Sequence, residues 1–268
     1  MNKSILFFSF FILLFISCDD GDDNHDYTEK LDYWNTMNQI GFKNFDTFIP
    51  TYKRVFNMNE TEYNTWCDSL SNFQSYQHFW DAINKEYETL KTEADYLTFK
   101  ETYKEFVKFS DKTIDGLPDY SFEPSLINTS LMRLVNKEGF IVINGKTYDV
   151  KKTSVIPGLK SLPDPRSCYK KDGRRKMWVR IDYNETLNNH IAHVNHKKKV
   201  TFAWVGYKTK YTIRHHKNNF TFTTPEMSNG SDIVVINGTP YGNIGLDIWN
   251  RGVGENDMCT FSWFHNNL

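Results

Sequence analysis

The chain has 268 residues, of which 39% are hydrophobic, 16% aromatic and 24% charged, and its formal net charge is −1. This composition is typical of a globular protein and excludes both a multi-span membrane protein and a largely disordered chain. The length allows one large domain or two modest ones. Because Phe, Tyr and Trp are frequent, we expect aromatic rings to supply much of the buried surface.

The N-terminus has a positively charged tip at Lys3, followed by an almost unbroken apolar run from Ile5 to Ile16. This run is shorter than the roughly 20 residues that a membrane-spanning helix needs. A positive tip, a short apolar segment and a small residue at its end are typical of a secretory signal peptide. We therefore predict that residues 1–17 are a signal peptide, with an ordinary cleaved signal or a short anchor as the alternatives to the lipoprotein signal described next.

The apolar run ends in Phe15-Ile16-Ser17-Cys18. This stretch resembles a bacterial lipoprotein signal, in the looser form of Bacteroidota lipoproteins, because Phe15 stands where Leu is usual. The resemblance implies that Cys18 is acylated, for example with palmitate, and becomes the first residue of the mature protein. Acyl chains contribute about 0.8 kcal/mol per buried methylene, so two or three chains would hold the protein stably on a membrane.

An acidic run follows the cysteine directly, with carboxylates at Asp19, Asp20, Asp22 and Asp23. Its charge density predicts a solvated tether over residues 18–26. The run also resembles the export signal of Bacteroidota lipoproteins, so we expect the outer face of the outer membrane. A plain spacer is one alternative, and retention at the inner membrane is another, since Asp directly after the cysteine retains enterobacterial lipoproteins.

The two halves of the chain carry opposite charge. Residues 1–130 hold 11 basic and 22 acidic residues, a net charge of −11, whereas residues 131–268 hold 21 and 11, a net charge of +10. The sign changes near a polar stretch with two prolines, so we predict a helical domain over 27–115, a linker over 116–130 and a β domain over 131–268. Because opposite charges attract within roughly 8 Å in physiological salt, we expect the helical half to dock on the basic strands.

Apolar spacing before the linker predicts four or five amphipathic helices. The first is marked by Leu31, Trp34 and Met37, and the second contains Pro50 as a local break or a late start. At the end of this part, Tyr103, Phe106 and Val107 extend the helical pattern toward Ser110. The apolar positions of the others are Phe45, Phe48, Ile49, Tyr52, Val55, Phe56, Tyr63, Trp66, Cys67, Leu70, Tyr76, Phe79, Trp80, Ile83, Tyr87 and Leu90.

After the linker the apolar period drops to two, and no long helical segment intervenes. Asn144-Gly145 between Phe140–Ile143 and Thr147–Val150 is a strong hairpin signal, because this dipeptide tolerates the positive φ angles of a type I′ turn. Further alternation marks strands near 177–183, 200–204, 211–213, 220–222, 233–236, 246–248 and 259–264. The predicted fold class is α+β, with an N-terminal α-helical bundle followed by a C-terminal antiparallel β-sandwich or barrel.

Two stretches carry a wider resemblance, Trp66 to Ser75 and Leu134 to Tyr148. Together with the lipoprotein signal, they resemble a group of uncharacterised Bacteroidota surface lipoproteins with a helical first half and a β second half. The resemblance spans much of the chain and rests on loose motifs. It implies the same division of the fold and the same exported location, and it brings no activity or catalytic residue.

Histidines and cysteines are the candidate ligands and redox groups. His190, His193 and His196 are spaced at three, and on a strand this spacing places His190 and His196 on one face and His193 on the other. Neither HExxH nor CxxC accompanies them, so we predict no metal site.

With Cys18 acylated, Cys67, Cys168 and Cys259 remain. An exported protein can form one disulfide from these three. Cys168 and Cys259 are the favoured pair because both lie in the β half. Three buried free cysteines are the alternative.

Basic residues interleave with aromatic ones in the β half, a pattern that can bind polyanions through charge and stacking. The candidate residues for an anionic ligand are Arg174, Arg175, Lys176, Lys197, Lys198, Lys199 and Trp204. An exported protein seldom meets nucleic acid, so the expected partners are a polyanionic glycan or a surface protein. The alternative is the solvated face of a basic sheet.

Nucleotide-binding and hydrolase motifs are missing from the sequence, since Gly252-Val253-Gly254 lacks a third glycine and neither GxxxxGK[ST] nor GxSxG occurs. We predict no cofactor and no catalytic residue. The sequence favours a membrane-anchored, non-enzymatic binding or adhesion module at the cell surface. The alternative is an extracytoplasmic hydrolase acting on glycan or peptide, which requires a cleft with converging carboxylates or a Cys–His pair.

Overall fold

A computed structural model describes residues 33–36, 39–70, 73–153, 156–157, 159, 161–238 and 242–265. Within these, only the backbone is described at 33–36, 161–166, 242–243 and 263–265. The predicted signal peptide, Cys18 and the acidic run with Asp19, Asp20, Asp22 and Asp23 lie outside the described residues.

Four α-helices occupy the first part of the described chain, as the apolar spacing predicts. They are α1 (Phe45–Asn57), α2 (Glu60–Asp68), α3 (Tyr76–Tyr87) and α4 (Glu93–Tyr103). Each begins at a polar N-cap whose side chain accepts a hydrogen bond from a backbone N–H of the first turn: Asn44, Asn59, Ser75 and Thr92. The capping box at Asn44 starts α1 five residues ahead of Pro50, so the predicted break or late start at Pro50 is wrong.

Seventeen β-strands are described, and most follow the helices. They are β1 (Tyr33–Thr36), β2 (Gln39–Phe42), β3 (Val107–Phe109), β4 (Thr113–Ile114), β5 (Leu117–Pro118), β6 (Phe122–Pro124), β7 (Phe140–Ile143), β8 (Lys146–Asp149), β9 (Ser161–Asp172), β10 (Arg175–Asn184), β11 (Asn189–Lys199), β12 (Trp204–Gly206), β13 (Tyr211–His215), β14 (Thr221–Thr223), β15 (Ser231–Asn237), β16 (Gly242–Asn250) and β17 (Cys259–His265). The class is therefore α+β.

The strands form three larger sheets and two small ones. The larger sheets have the orders β1-β2-β7-β8, β12-β11-β10-β9 with β15 also paired to β11, and β14-β13-β16-β17. The small ones pair β3 with β6 and β4 with β5. Each order has two ends, so none of the described sheets closes into a barrel.

Three local predictions are corrected. The helix predicted from Leu31, Trp34 and Met37 is wrong, because β1 pairs antiparallel with β2, and β2 pairs in parallel with β7 about a hundred residues later. Local spacing cannot reveal so distant a partner. The last helix stops at Tyr103, and Val107 opens β3. The alternation at 200–204 spans the connection between β11 and β12 rather than one strand.

The hairpin predicted around Asn144-Gly145 is confirmed. β7 pairs antiparallel with β8, and Ile143 lies opposite Lys146. The two turn residues have φ angles of 54° and 70°, the left-handed region that a type I′ turn needs at both positions.

The first of two hydrophobic cores joins the four helices to the β1-β2-β7-β8 sheet. Ile40 and Ile141 from the sheet and Tyr52 and Ile83 from the helices are buried in it, and so is Val205 of β12. The core also takes in residues of the predicted linker over 116–130, where Tyr120, Phe122 and Leu126 are buried. Those residues and the β domain belong to one compact unit, Asp32–Leu268. None of the helices within the described residues is long and apolar enough to span a membrane.

The second core is filled by residues of the two largest antiparallel sheets. Val179 of β10 and Val194 of β11 come from one sheet, and Ile213 of β13 and Leu246 of β16 come from the other. All four side chains are fully buried. The alternation predicted for β10 is thereby confirmed, since its apolar positions face this core.

The sequence leaves open one disulfide or three buried free cysteines, and the structure contains the disulfide. Cys168 of β9 and Cys259 of β17 are bonded, with 5.7 Å between their Cα atoms, so the bond joins the two sheets around the second core. Cys67 is a buried free thiol in the first core.

Candidate functional site

The outward face of the β9, β10 and β11 strands carries the candidate site. Because side chains alternate along a strand, the inward Met177 and Val179 of β10 place Trp178 and Arg180 on the opposite face. Cys168 points inward to its disulfide, so Tyr169 points outward, and its side chain is 55% exposed. Aromatic and basic side chains therefore share this face.

Strand register arranges these side chains in rows. Trp178 lies opposite Tyr169 on one side and Asn195 on the other, and we call these three residues the Trp178 row. Directly opposite residues have Cβ atoms about 5 Å apart, so the three side chains are neighbours.

A row on either side of the Trp178 row is basic, about 7 Å away along the strands. One consists of Lys171, Lys176 and Lys197, and the other contains Arg180 opposite His193.

Two cavities, of about 370 and 450 Å³, meet over the Trp178 row. Both are lined by Glu123, Trp178 and Asn195, and we call the joined cavities the Trp178 groove. The first part of the chain supplies the facing wall. There Lys108 of β3 lies opposite Glu123 of β6, and Lys112 follows shortly after.

Two polar atoms of groove-lining residues are enclosed and have no hydrogen-bond partner within the described part of the chain, Asn195 Oδ1 and Arg180 Nε. Leaving such an atom unpaired costs about 1–3 kcal/mol. The oxygen is an acceptor and the guanidinium nitrogen is a donor.

A histidine clamp borders the groove. His193 lies between Asp182, 2.9 Å from its Nε2, and Asp232, 2.5 Å from its Nδ1. Burial lowers the pKa of His193, but the two carboxylates outweigh burial and raise it to about 9. The bonds from His193 also hold the pKa of Asp182 below its usual value although burial opposes this. Thr129 of the first part bonds Asp232 as well, so the clamp ties β15 to the first part of the chain.

Three of the predicted anion-binding residues are occupied by contacts within the protein. Trp204 is fully buried, and its indole nitrogen donates to the Ile114 carbonyl. The amine of Lys176 lies 4.2 Å from the Trp204 ring centre and 3.4 Å from Asp115. Lys197 forms an ion pair with Asp119 at 2.5 Å.

The other four predicted residues lie at the edge of the sheet where β10 begins and β11 ends. Arg174, Arg175 and Lys198 are exposed, and Lys199 is half-buried. Arg175 and Lys198 each lie 5.9 Å from the Tyr207 ring centre. None of the four lines the Trp178 groove.

The expected docking of the helical half on the basic strands is confirmed by ion pairs between the two halves. Asp115 pairs with Lys171 at 3.1 Å and with Lys176 at 3.4 Å. Glu88 at the end of α3 pairs with Lys208 at 2.8 Å.

A larger cleft of about 780 Å³ lies beside α2 and α3, and we call it the α2–α3 cleft. Glu60, Asp81, Glu226 and Asp232 line it. Desolvation in the cleft raises the pKa of Asp81, although Gln77 donates to both of its carboxylate oxygens at 3.0 and 3.2 Å.

The three spaced histidines lie on β11 as the strand argument predicts. His190 and His196 are buried, and His193 is half-buried on the opposite, groove-facing side. The Nδ1 atom of His196 lies 2.7 Å from the Tyr211 hydroxyl in the second core. Within the described residues, no group of three His, Cys, Asp or Glu side chains is placed to hold a metal ion.

The candidate residues named from the sequence include Trp204 but not Trp178, Tyr169, Lys108 or Lys112, although Trp178 belongs to the same pattern of interleaved basic and aromatic residues. The alternation along β10 places Trp178 on the polar face, and this signal could have ranked it above Trp204. The contribution of Lys108 and Lys112 had no local signal, because it depends on how the first part of the chain packs against β10.

Comparison with solved structures finds a distant neighbour. The chain resembles the crystal structure of a DUF4848 family protein from Bacteroides thetaiotaomicron, with 17% sequence identity, a TM-score of 0.39 and alignment over 86% of this chain and 98% of that one. A likeness at this level assigns neither fold family nor function. No family model and no curated protein matches the chain.

Proposed function

We propose that this chain is an exported lipoprotein, anchored by acyl chains on Cys18 and displayed on the outer face of the outer membrane, that binds saccharides without turning them over. The observation that carries the binding role is the Trp178 row in an open groove. Aromatic rings pack against the apolar faces of sugar rings, and an amide such as Asn195 can exchange hydrogen bonds with hydroxyl groups. A few convergent polar groups around an aromatic floor are typical of ligand sites.

The carboxylates of the histidine clamp support binding rather than catalysis. A general acid needs a carboxyl group that keeps its proton near neutral pH. Asp182 and Asp232 both bond His193, and the pKa of Asp182 is lowered. The clamp therefore supplies a rigid border for a bound ligand.

Titration of the detergent-solubilised full chain with neutral and acidic oligosaccharides tests the binding role. We expect Trp178→Ala to weaken saccharide binding at least about tenfold, because tryptophans that a bound ligand covers often contribute about 2 kcal/mol or more. Trp249→Ala is the matched control, since Trp249 is half-buried like Trp178 but lies on β16 of the other sheet. Equal effects of the two variants, or capture of a surface protein with no saccharide bound, would contradict the proposal.

The anchor and the export signal have separate tests. Cys18→Ala should abolish acyl labelling and release the protein from membranes. Replacing Asp19, Asp20, Asp22 and Asp23 by Ala should leave the protein inside the envelope, where added protease cannot reach it. Unchanged labelling would remove the lipoprotein assignment, and unchanged protease access would make the acidic run a spacer.

Hydrolysis of glycan or peptide is a second candidate function, favoured by Asp81 in the α2–α3 cleft. A carboxyl group with a raised pKa in a cleft is a typical general acid. Turnover assays on labelled glycans and peptides test this candidate. It requires product release by the wild-type chain that Asp81→Asn abolishes, and it fails if the wild-type chain releases no product.

A further inference from the structure

Some charged side chains of the Trp178 groove have ion-pair partners within the described residues and others do not. Lys108, Lys112 and Lys151 line it, and none has an ion-pair partner among the described residues. Glu123 is likewise unpaired in that part of the chain, so three free cations face one free carboxylate. Within the described residues, the groove thus has a surplus of unpaired positive charge.

The two ends of the groove differ in this respect. At the end with Lys112, the neighbouring Lys176 and Lys197 are already paired with Asp115 and Asp119. That end offers little charge beyond Lys112 itself.

At the other end Lys108 and Lys151 lie beside Arg180, which pairs with Asp182 at 2.9 Å through one terminal nitrogen. The Nε atom of Arg180 has no partner within the described residues. The guanidinium carbon is 6.0 Å from the Trp178 ring centre, so this cationic end adjoins the aromatic floor.

We infer that the groove selects acidic saccharide chains: a carboxylate or sulfate of the ligand binds Lys108, Lys151 and Arg180 while an adjoining sugar ring stacks on Trp178. This inference rests on the proposed saccharide-binding function. A planar guanidinium and flanking amines suit an acidic oxygen group. A neutral chain would stack on Trp178 equally well but would leave the cations without a partner.

A pair of ligands with one backbone tests the inference, a galacturonic acid hexasaccharide and its methyl ester, titrated against the full-length chain in detergent. We expect the acid to bind about tenfold more tightly than the ester, and high salt to remove the difference. Lys108→Gln should weaken binding of the acid by about two- to fivefold and leave binding of the ester unchanged. Lys198→Gln is the matched control, because Lys198 is an exposed lysine outside the groove.

The outcomes separate this inference from the proposed function. Equal binding of acid and ester that Trp178→Ala weakens would overturn the acidic preference and leave saccharide binding in place. If Lys108→Gln and Lys198→Gln weaken binding of the acid equally, overall charge rather than the groove sets the affinity, and the inference is overturned. Inorganic polyphosphate that competes as well as the acid would also overturn it, because polyphosphate has no ring to stack. Absence of binding to either saccharide would instead remove the proposed function.

Discussion

The first core is rich in aromatic rings, whereas the second is filled mainly by aliphatic side chains between two sheets. Buried aromatic residues of the first core are Phe42, Phe48, Tyr52, Tyr63, Trp66, Phe73, Tyr76, Trp80, Tyr87, Tyr96, Phe99, Tyr120, Phe122 and Tyr148. In the second core, within the described part of the chain, they are Tyr211 and Phe261. The difference follows the secondary structure, because β-branched Val and Ile fit facing pleated sheets and large rings fill the irregular space between helices.

The aromatic core must satisfy the hydroxyl groups that its tyrosines bring inside. Tyr87 donates to the Tyr120 carbonyl at 3.1 Å and accepts from the Gly206 N–H at 3.2 Å. Tyr52 lies 2.5 Å from Ser130, and burial raises the pKa of Tyr52 to about 12. These bonds link segments far apart in sequence. The first core is therefore specified by polar pairing as well as by packing.

The aliphatic core depends on strand register and one covalent bond. The disulfide between Cys168 and Cys259 closes a separation of 91 residues. The comparison predicts that the first core is destabilised most by truncation of a buried aromatic ring. It predicts that the second core is destabilised by loss of the disulfide.

The largest effect is expected from Phe122→Ala in the first core. Its ring centre lies 4.8 Å from that of Tyr87, 5.1 Å from Trp80 and 5.4 Å from Phe99. Truncation leaves a cavity among these rings and should lower the free energy of unfolding by about 3–5 kcal/mol, measured by urea denaturation. Phe220→Ala is the control, because the Phe220 side chain is 55% exposed and its loss should change stability by less than about 0.5 kcal/mol. Similar losses in both variants would contradict the packing argument.

The next effect concerns the disulfide of the second core. Replacing Cys168 and Cys259 together by Ser should lower the free energy of unfolding by about 2–4 kcal/mol, because the unfolded chain is no longer constrained. Adding a reductant to the wild type should reproduce the loss, and adding it to the double variant should do nothing further. A reductant effect in the double variant would point to the other cysteines. Since Tyr169 follows Cys168, saccharide binding should weaken as well.

A third effect comes from two histidines on β11 whose pKa values shift in opposite directions. Burial and the carboxylates of Asp182 and Asp232 together leave the pKa of His193 at about 9, and burial lowers that of His196 to about 4, from an ordinary value of 6.5. The stability that His193 contributes is present below pH 6.5 and is lost as the pH rises to 9. That of the neutral His196 is present above pH 6.5 and is lost as the pH falls to 4.

Thermal unfolding across pH checks these opposite signs. Each histidine should change the free energy of unfolding by about 1–3 kcal/mol over its window. His193→Gln should flatten the profile on the alkaline side only, and His196→Gln should flatten it on the acid side only. A profile that keeps both slopes in either variant would assign the pH dependence to other groups.

Local signals in the sequence account for the helices, the Asn144-Gly145 hairpin and the inward face of β10, because each depends on spacing or turn chemistry within a few residues. They also pointed to the pairing of Cys168 with Cys259. The pairing of β2 with β7 could not be predicted from local signals, since it joins segments about a hundred residues apart. The candidate site shows the same limit.

Trp204 and Trp178 both stand among lysines in the sequence, yet only Trp178 lines an open groove. The difference arises because two residues from the distant first part of the chain contact Trp204. The Ile114 carbonyl accepts a hydrogen bond from the Trp204 indole, and Asp119 forms an isolated β-bridge with Trp204. Alternation assigns a face to a side chain, but it does not say what covers that face.

The smallest effect on stability is expected at an ion pair that joins the two regions. Asp115 contacts Lys171 and Lys176. The side chains of Asp115 and Lys171 are both 41% exposed, so solvent screens that pair, and Lys176, whose side chain is 10% exposed, keeps its contact with the Trp204 ring. The φ angle of Asp115 is 52°, and Asn tolerates this left-handed backbone as well as Asp does. Asp115→Asn should therefore leave the midpoint of thermal unfolding unchanged within error.

The same variant should alter binding, because it frees the positive charge of Lys176 at the Lys112 end of the Trp178 groove. We expect Asp115→Asn to bind the galacturonic acid hexasaccharide about twofold more tightly than the wild type at low salt, and equally at high salt. Binding of the methyl ester is the internal control and should not change. Glu88→Gln frees Lys208 outside the groove, so a gain of the same size there would show that overall charge, and not the groove, sets the affinity.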